Sequence, residues 1–229
     1  MPINLLYPHL RRVHSEPSIY IIDDFLSDAV CDELVRRTRV DLRQSLTATL
    51  TSEEQPFGVL SNNRTSRCSH FNPDELPTLA LHMDRLAPGF ETRKGSARVI
   101  EYRAGGYFKR HRDWYGAPLE RIAILFVYLS SGRGGASNFT DISLSPVHPR
   151  KGRAVVHFPV FWPTLRPDTR TFHESQPAID PKYVLTTFWH SHDIGYTGGT
   201  QETLQLYPET AETDQISNAH RIPFKGDPL

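Results

Sequence analysis

Val99-Ile-Glu-Tyr-Arg-Ala-Gly-Gly-Tyr-Phe-Lys-Arg-His-Arg-Asp113 reads as two short strands joined by a Gly105-Gly106 turn. The second strand ends on His111-x-Asp113. In an extended chain residues i and i+2 project to the same side. An imidazole and a carboxylate can therefore meet one metal ion while Arg112 faces away.

Outward from this stretch the texture is the same. Strands are predicted at 97–103, 106–112, 122–129, 136–142, 153–158, 170–175 and 183–190. Turn signals separate them at Gly116, Gly132 to Gly135, Pro149, Gly152, Pro163, Pro167 and Pro177. Many short strands at nearly regular spacing argue for a sandwich or jelly roll. Upstream, Ser18-Ile-Tyr-Ile-Ile22 predicts a strand, and 27–46 a helix capped by Ser27. A second helix is expected from Asn72, with Pro73 at its first position, Glu75 closing a capping box, and Gly89 as its stop. The expected organisation is one overall domain. Residues 1–95 would supply an N-terminal strand and helices packed on the core, 96–195 the core, and 196–229 a C-terminal extension.

The chain has 229 residues, 38% of them hydrophobic, and a formal net charge of zero. Nothing in that balance favours nucleic acid or an anionic membrane as partner. Cys31 and Cys68 have no CxxC spacing, which excludes a disulfide framework and a thiolate-rich metal site. The start, MPINLLYPHLRR, lacks an apolar signal core, and no run approaches a membrane span; the expectation is a cytoplasmic protein.

His-x-Asp alone is common by chance. Two histidines and a carboxylate on one face of an octahedron suit iron(II) and leave three positions open, two for a chelating oxoacid and one for dioxygen. The third ligand must come from downstream, where His148, His157, His173, His190 and His192 stand. His157, within Ala154-Val-Val-His-Phe158, reads as a buried strand residue, where a core histidine is the commoner outcome. His173 follows the strand-like Arg170-Thr-Phe172. Lys182 opens the apolar strand Tyr183 to Trp189, where a charge is unfavourable unless paired; it should face an anion, unless Pro181 places it at a surface turn.

With these residues in hand, the stretch from Val99 to Trp189 resembles the prolyl 4-hydroxylase-like branch of the iron(II)/2-oxoglutarate-dependent dioxygenases. The likeness runs through Tyr102-x3-Gly106-Tyr107-x3-His111-x-Asp113, Arg121, Tyr128-Leu129, Gly134-Gly135, Phe139, Pro149, Gly152, His173, Pro177, Lys182 and Phe188-Trp189. Ile21-Asp23-Asp24-Phe25 and Arg64-Thr65-Ser66 extend it upstream. The resemblance implies a mainly β fold with flanking helices around a double-stranded β-helix (jelly-roll) core. It implies iron(II) held by His111, Asp113 and His173, and 2-oxoglutarate held by Lys182 and Tyr102 with Ser137 nearby. It also places Arg121 on the substrate side. The implied reaction consumes dioxygen, decarboxylates 2-oxoglutarate to succinate and hydroxylates an unactivated C–H bond, with ascorbate as a possible reductant. The insert Pro159 to Pro167 departs from the family pattern and suggests a distinct wall of the substrate pocket.

For the substrate, the polar stretch 47–68, with Asn62 and Arg67 as candidate contacts, favours a small molecule, a free amino acid or a relative of one. A peptidyl proline is the alternative. A non-catalytic jelly-roll binding module and a zinc hydrolase are competing classes; retention of all three ligands plus the lysine argues against the first, and the second does not explain Tyr102 and Lys182.

Overall fold

A computed structural model describes residues 3–49, 57–91, 94–114, 121–192 and 222–223. The chain begins with β1 (Leu10–His14), β2 (Ile19–Ile22) and α1 (Asp28–Thr38). Next come β3 (Arg43–Gln44), β4 (Thr47–Thr49), β5 (Phe57–Val59), β6 (Arg67–Phe71) and α2 (Pro77–Leu86). The core then runs through β7 (Ala97–Tyr102), β8 (Phe108–His111), β9 (Arg121–Tyr128), β10 (Ser137–Phe139) and β11 (Ala154–His157). It continues through β12 (Val160–Phe161), β13 (Arg166–Pro167), β14 (His173–Ser175) and β15 (Lys182–His190), and β16 (Ile222–Pro223) pairs with β5.

An eight-stranded antiparallel sheet, in the order β1-β2-β11-β9-β15-β7-β6-β3, faces a three-stranded sheet β10-β14-β8. This is the jelly-roll core, mainly β with two flanking α-helices. The outer face of the large sheet packs on α1 and α2 through Ala97, Val99, Leu125, Val127 and Leu185 with Leu34, Leu79 and Met83. The inner face carries Ile100, Tyr102, Ile124, Phe126, Tyr128, Val184 and Phe188. The two sets alternate along each strand, as a sheet buried on both faces requires. Strand β9 is buried at all eight positions, so truncating a leucine or isoleucine there to alanine should lose roughly 2–5 kcal/mol. No helix among the described residues is long and apolar enough to cross a membrane.

Several boundaries differ from the sequence expectation, each for a local reason. α1 does begin at the Ser27 cap but ends at Thr38, whose hydroxyl donates to the Leu34 carbonyl. Beyond it, Arg43 and Gln44 leave the helix to pair with β6. Asn72 does cap a turn with its capping box, but the turn is a single 3-10 turn, Pro73–Glu75. Pro77 disfavours helical geometry at Leu76, so α2 starts afresh after it. The expected strand at 170–175 is shortened because Asp168 caps a 3-10 turn over Thr169–Thr171. The N-terminal third does more than pack on the core: β1, β2, β3 and β6 are strands of the large sheet itself. Most of the expected C-terminal extension lies outside the described residues.

Candidate active site

The site begins with a register irregularity. His173 of β14 pairs with His111 of β8, and Ser175 pairs with Phe108, so β8 spends three residue steps where β14 spends two. Such a bulge re-aims side chains. Phe108 and His111 consequently stack with centroids 3.6 Å apart, and the Arg64 guanidinium lies 4.3 Å over the Phe108 ring. His111 is thus wedged, and the chain turns immediately after it to present Asp113.

His111, Asp113 and His173 bring one ligand atom each within 4.8 Å of one another. His173 Nε2 lies 3.5 Å from Asp113 Oδ2, and His111 Nε2 lies 4.0 Å from Asp113 Oδ1. The other ring nitrogens are spoken for: His111 Nδ1 is 2.9 Å from the Lys109 carbonyl and His173 Nδ1 is 3.1 Å from the Thr171 carbonyl. A carbonyl can only accept, so each Nδ1 carries a proton, and Nε2 is the atom each ring turns toward Asp113. That is the tautomer a metal ligand needs, held by the backbone. Burial, reinforced by the His173 ring, pushes His111 down to about 3, which keeps its imidazole neutral. Burial works to raise the Asp113 carboxyl, but the His173, His157 and His111 rings override it and hold the group well below the usual carboxylate range. Two imidazoles whose Nε2 atoms face one carboxylate are a donor set that fits iron(II).

His157, the rival third ligand, is fully buried on β11 with Nε2 3.5 Å from Asp113 Oδ2. Among the described residues neither of its ring nitrogens has a hydrogen-bond partner of normal geometry, and no backbone carbonyl fixes its tautomer. It approaches the same carboxylate oxygen as His173 but lies outside the three-residue group. Its place beside Asp113 was not legible from its apolar neighbours.

The cavity that opens beside these three residues is lined by Tyr102, Ser137, Ser175 and Lys182 among others. Lys182 pairs in register with Tyr102, and its ammonium lies 4.4 Å from that ring. Its Nζ donates to the Gly135 carbonyl at 2.7 Å and to the Ser175 hydroxyl. Among the described residues no carboxylate pairs with it, and burial pulls it down to about 7. A buried ammonium pointed into a cavity without a protein counter-ion suits a dicarboxylate cosubstrate. Ser137 lines the same cavity and accepts a 2.8 Å hydrogen bond from the Tyr128 hydroxyl.

The substrate-side expectations fare less evenly. Arg121 is buried at the start of β9, its guanidinium 3.7 Å over the Phe188 ring. Arg67 is turned away: it pairs with Glu101 at 2.6 Å on the outer face of the sheet. Arg64, three residues earlier, takes the place at the cavity wall instead. Asn62 is exposed, and its carbonyl accepts from the Tyr107 hydroxyl at 3.1 Å. The 159–167 insert is a hairpin, β12 with β13, whose Val160 joins the helix-side core and whose Trp162 packs on Phe90; it lines no part of this cavity. Arg98 is a cavity residue that sequence reading passed over. Its signal was available, since Arg98 shares strand parity with Tyr102.

Comparison with known proteins agrees with this geometry. Residues 97–190 match the model described as the 2OG-Fe(II) oxygenase superfamily. The chain is 24% identical over 210 residues to probable prolyl 4-hydroxylase 4 of Arabidopsis thaliana, covering 79% of this chain and 69% of that one. It is 25% identical to prolyl 4-hydroxylase 2 of the same plant, covering 82% and 72%. Among solved structures, a viral collagen prolyl hydroxylase from Paramecium Bursaria Chlorella virus-1, in complex with 2OG, superposes with TM-score 0.57 at 20% identity, covering 76% of this chain and 96% of that one. A Pseudomonas putida prolyl-4-hydroxylase superposes with TM-score 0.53 at 19% identity, covering 76% and 92%.

Proposed function

We propose, for a chain whose residues 97–190 make it an iron(II)/2-oxoglutarate-dependent dioxygenase of the 2OG-Fe(II) oxygenase superfamily, that it hydroxylates a prolyl residue within a peptide or protein. The curated relatives matched over about four-fifths of the chain carry the name prolyl 4-hydroxylase. They favour this substrate over the free amino acid that the polar loop suggested, and the loop's Arg67 faces away from the cavity.

The observation that carries the reading is the pairing of two features across one cavity. One is the His111, Asp113 and His173 group with its Nε2 atoms turned inward; the other is the buried Lys182 ammonium without a protein carboxylate. In this reading His111, Asp113 and His173 hold the iron, while Lys182 and Tyr102 hold the far carboxylate of 2-oxoglutarate with Ser137 beside it. The bound pair supplies the oxidising chemistry, in which dioxygen gives one atom to succinate and one to the substrate. The protein's own share is geometric. Backbone carbonyls fix the two histidine tautomers, the bulge in β8 aims His111, and Phe126, Ile124 and Val184 give the cavity an apolar wall.

The test is succinate formation from 2-oxoglutarate, with iron(II) and ascorbate, in the presence of proline-rich peptides and, separately, of free amino acids. Hydroxyproline recovered from the peptide supports the proposal. Turnover with a free amino acid and none with any prolyl peptide would overturn it.

A further inference from the structure

We infer that the Ser175 hydroxyl completes the 2-oxoglutarate anchor, donating its proton to the far carboxylate and so fixing the site's preference for a dicarboxylate. The inference rests on the anchor assigned above to Lys182 and Tyr102 and sharpens it. Strand β14 is only three residues long. Its alternation gives His173 and Ser175 the same parity. His173 belongs to the metal group, and Ser175 lies two residues on, about 7 Å along an extended chain. Ser175 pairs with Ser137 of β10 on one side and Phe108 of β8 on the other, and it lines the cavity together with Tyr102 and Lys182. One short strand therefore serves both ends of a chelating dicarboxylate.

The hydrogen bonds around Ser175 point the same way. A hydroxyl has one proton to give and two lone pairs that accept. The Ser175 oxygen accepts from the Lys182 ammonium, so its own proton points elsewhere. Among the described residues no carbonyl or carboxylate receives that proton. The group beside it is the Tyr102 phenol, which burial raises and which the Ser66 and Ser175 hydroxyls act to lower. A neutral phenol oxygen is a weaker acceptor than a carboxylate, so a carboxylate held by Lys182 takes the Ser175 proton in its place. Lys182 donates to the Gly135 carbonyl and to Ser175, which leaves its third N–H for the same ligand. Lysine, serine and tyrosine thus offer donors to one spot, and a carboxylate has about four lone-pair sites to meet them. Ser137, the other serine of the wall, is committed differently: its hydroxyl is engaged with that of Tyr128 at 2.8 Å.

The test compares 2-oxoglutarate with 2-oxopentanoate, which keeps the chelating end and carries a methyl group in place of the far carboxylate. Both are titrated into the iron(II) protein without dioxygen and followed by calorimetry. Iron(II) affinity is measured separately against a competing chelator. In Ser175→Ala, 2-oxoglutarate should bind about tenfold more weakly, the scale of one hydrogen bond to a charged group. Binding of 2-oxopentanoate and of iron(II) should stay as in the wild type. Ser175→Cys, nearly the same size but a poor donor, should show the same selective loss without the void that alanine leaves. Ser175→Thr keeps the hydroxyl and should recover most of the preference, and Ser137→Ala should disturb it less than Ser175→Ala does. Equal weakening of both oxoacids in the alanine and cysteine variants shows a packing role and overturns the inference. Unchanged 2-oxoglutarate affinity in those variants overturns it too, as does a larger loss of preference in Ser137→Ala. A wild-type protein that binds 2-oxoglutarate no better than 2-oxopentanoate overturns the Lys182 anchor and this inference together.

Discussion

Replacing His157 by phenylalanine keeps an aromatic ring in a site with no solvent exposure and deletes the nitrogen that lies 3.5 Å from Asp113 Oδ2. A hydrogen bond to a charged group contributes about 1.5–3 kcal/mol when its geometry is good. The His157 contact, at 3.5 Å, is longer than a hydrogen bond of normal geometry, so the lower end is its ceiling. About 1.4 kcal/mol is a tenfold change in an equilibrium constant. Iron(II) affinity should therefore fall by up to about tenfold in His157→Phe, at the weak end of what losing a ligand's supporting partner does. The full complement of iron should still bind at saturation. His173→Ala should behave differently, because it removes a donor atom and leaves Asp113 with His111 alone. Anaerobic titration of iron(II) against a competing chelator measures both. Full iron occupancy in His173→Ala together with none in His157→Ala would refute the ligand assignment. Unchanged affinity in His157→Phe would refute the supporting role of His157.

Gly135 has φ +63°, and a Cβ there would come 2.9 Å from Lys182 Cδ and 3.3 Å from Cε. Gly135→Ala should raise the KM for the cosubstrate and lower stability by about 1 kcal/mol or more, read by steady-state kinetics and thermal melting. Burial holds Lys182 at about 7 instead of 10.5. The folded chain then binds fewer protons than the unfolded one between those values, so the unliganded protein should gain stability as pH rises through that window, and carry the full penalty below it. Because 2-oxoglutarate needs the ammonium, its affinity should fall as pH rises above about 7; a binding profile that is equally steep in Lys182→Arg, which stays charged, would contradict this. Asp23 is the opposite case: burial acts to raise it, but Arg153, Arg150 and Arg11 outweigh burial and hold its carboxyl below the usual range. That cluster joins β11 to the end of β2, and its stabilisation should be lost as pH falls through the lowered value, an acid destabilisation that Asp23→Asn should reduce in a pH series of melts. Asp113→Ala should abolish succinate formation while leaving the fold's melting transition in place.

Local patterns were readable where one residue's surroundings are its own sequence neighbours. Ser27 caps α1 and Asn72 closes its capping box because such caps are satisfied within a single turn. The shared side of His111 and Asp113 followed from strand parity, whereas Tyr102 and Lys182 were brought together by the family resemblance. What escaped was decided between distant segments. Whether Arg64 or Arg67 reaches the cavity depends on where the chain enters β6, and a one-residue difference in parity sends a side chain to the opposite face. Arg67 accordingly meets Glu101 across the strands and leaves the cavity to Arg64. His157 looked like a core residue and is one; its approach to Asp113 joins β11 to the residue that follows β8 by two positions, a contact between distant segments. The bulge between β8 and β14 has no sequence signature either, yet it sets the stack of Phe108 on His111.

Strands β7 and β15 behave together as a fixed gauge. Tyr102 and Lys182 mark one graduation, Arg98 and Thr186 another, and five successive residue pairs lock the scale between them. Changing a side chain at either mark alters what is gripped without altering how far apart the grips stand. A side chain exchanged at the Arg98 mark accordingly leaves the Tyr102 and Lys182 mark where it stands. An insertion or deletion between the marks would spoil both at once, turning the whole row of inward side chains outward.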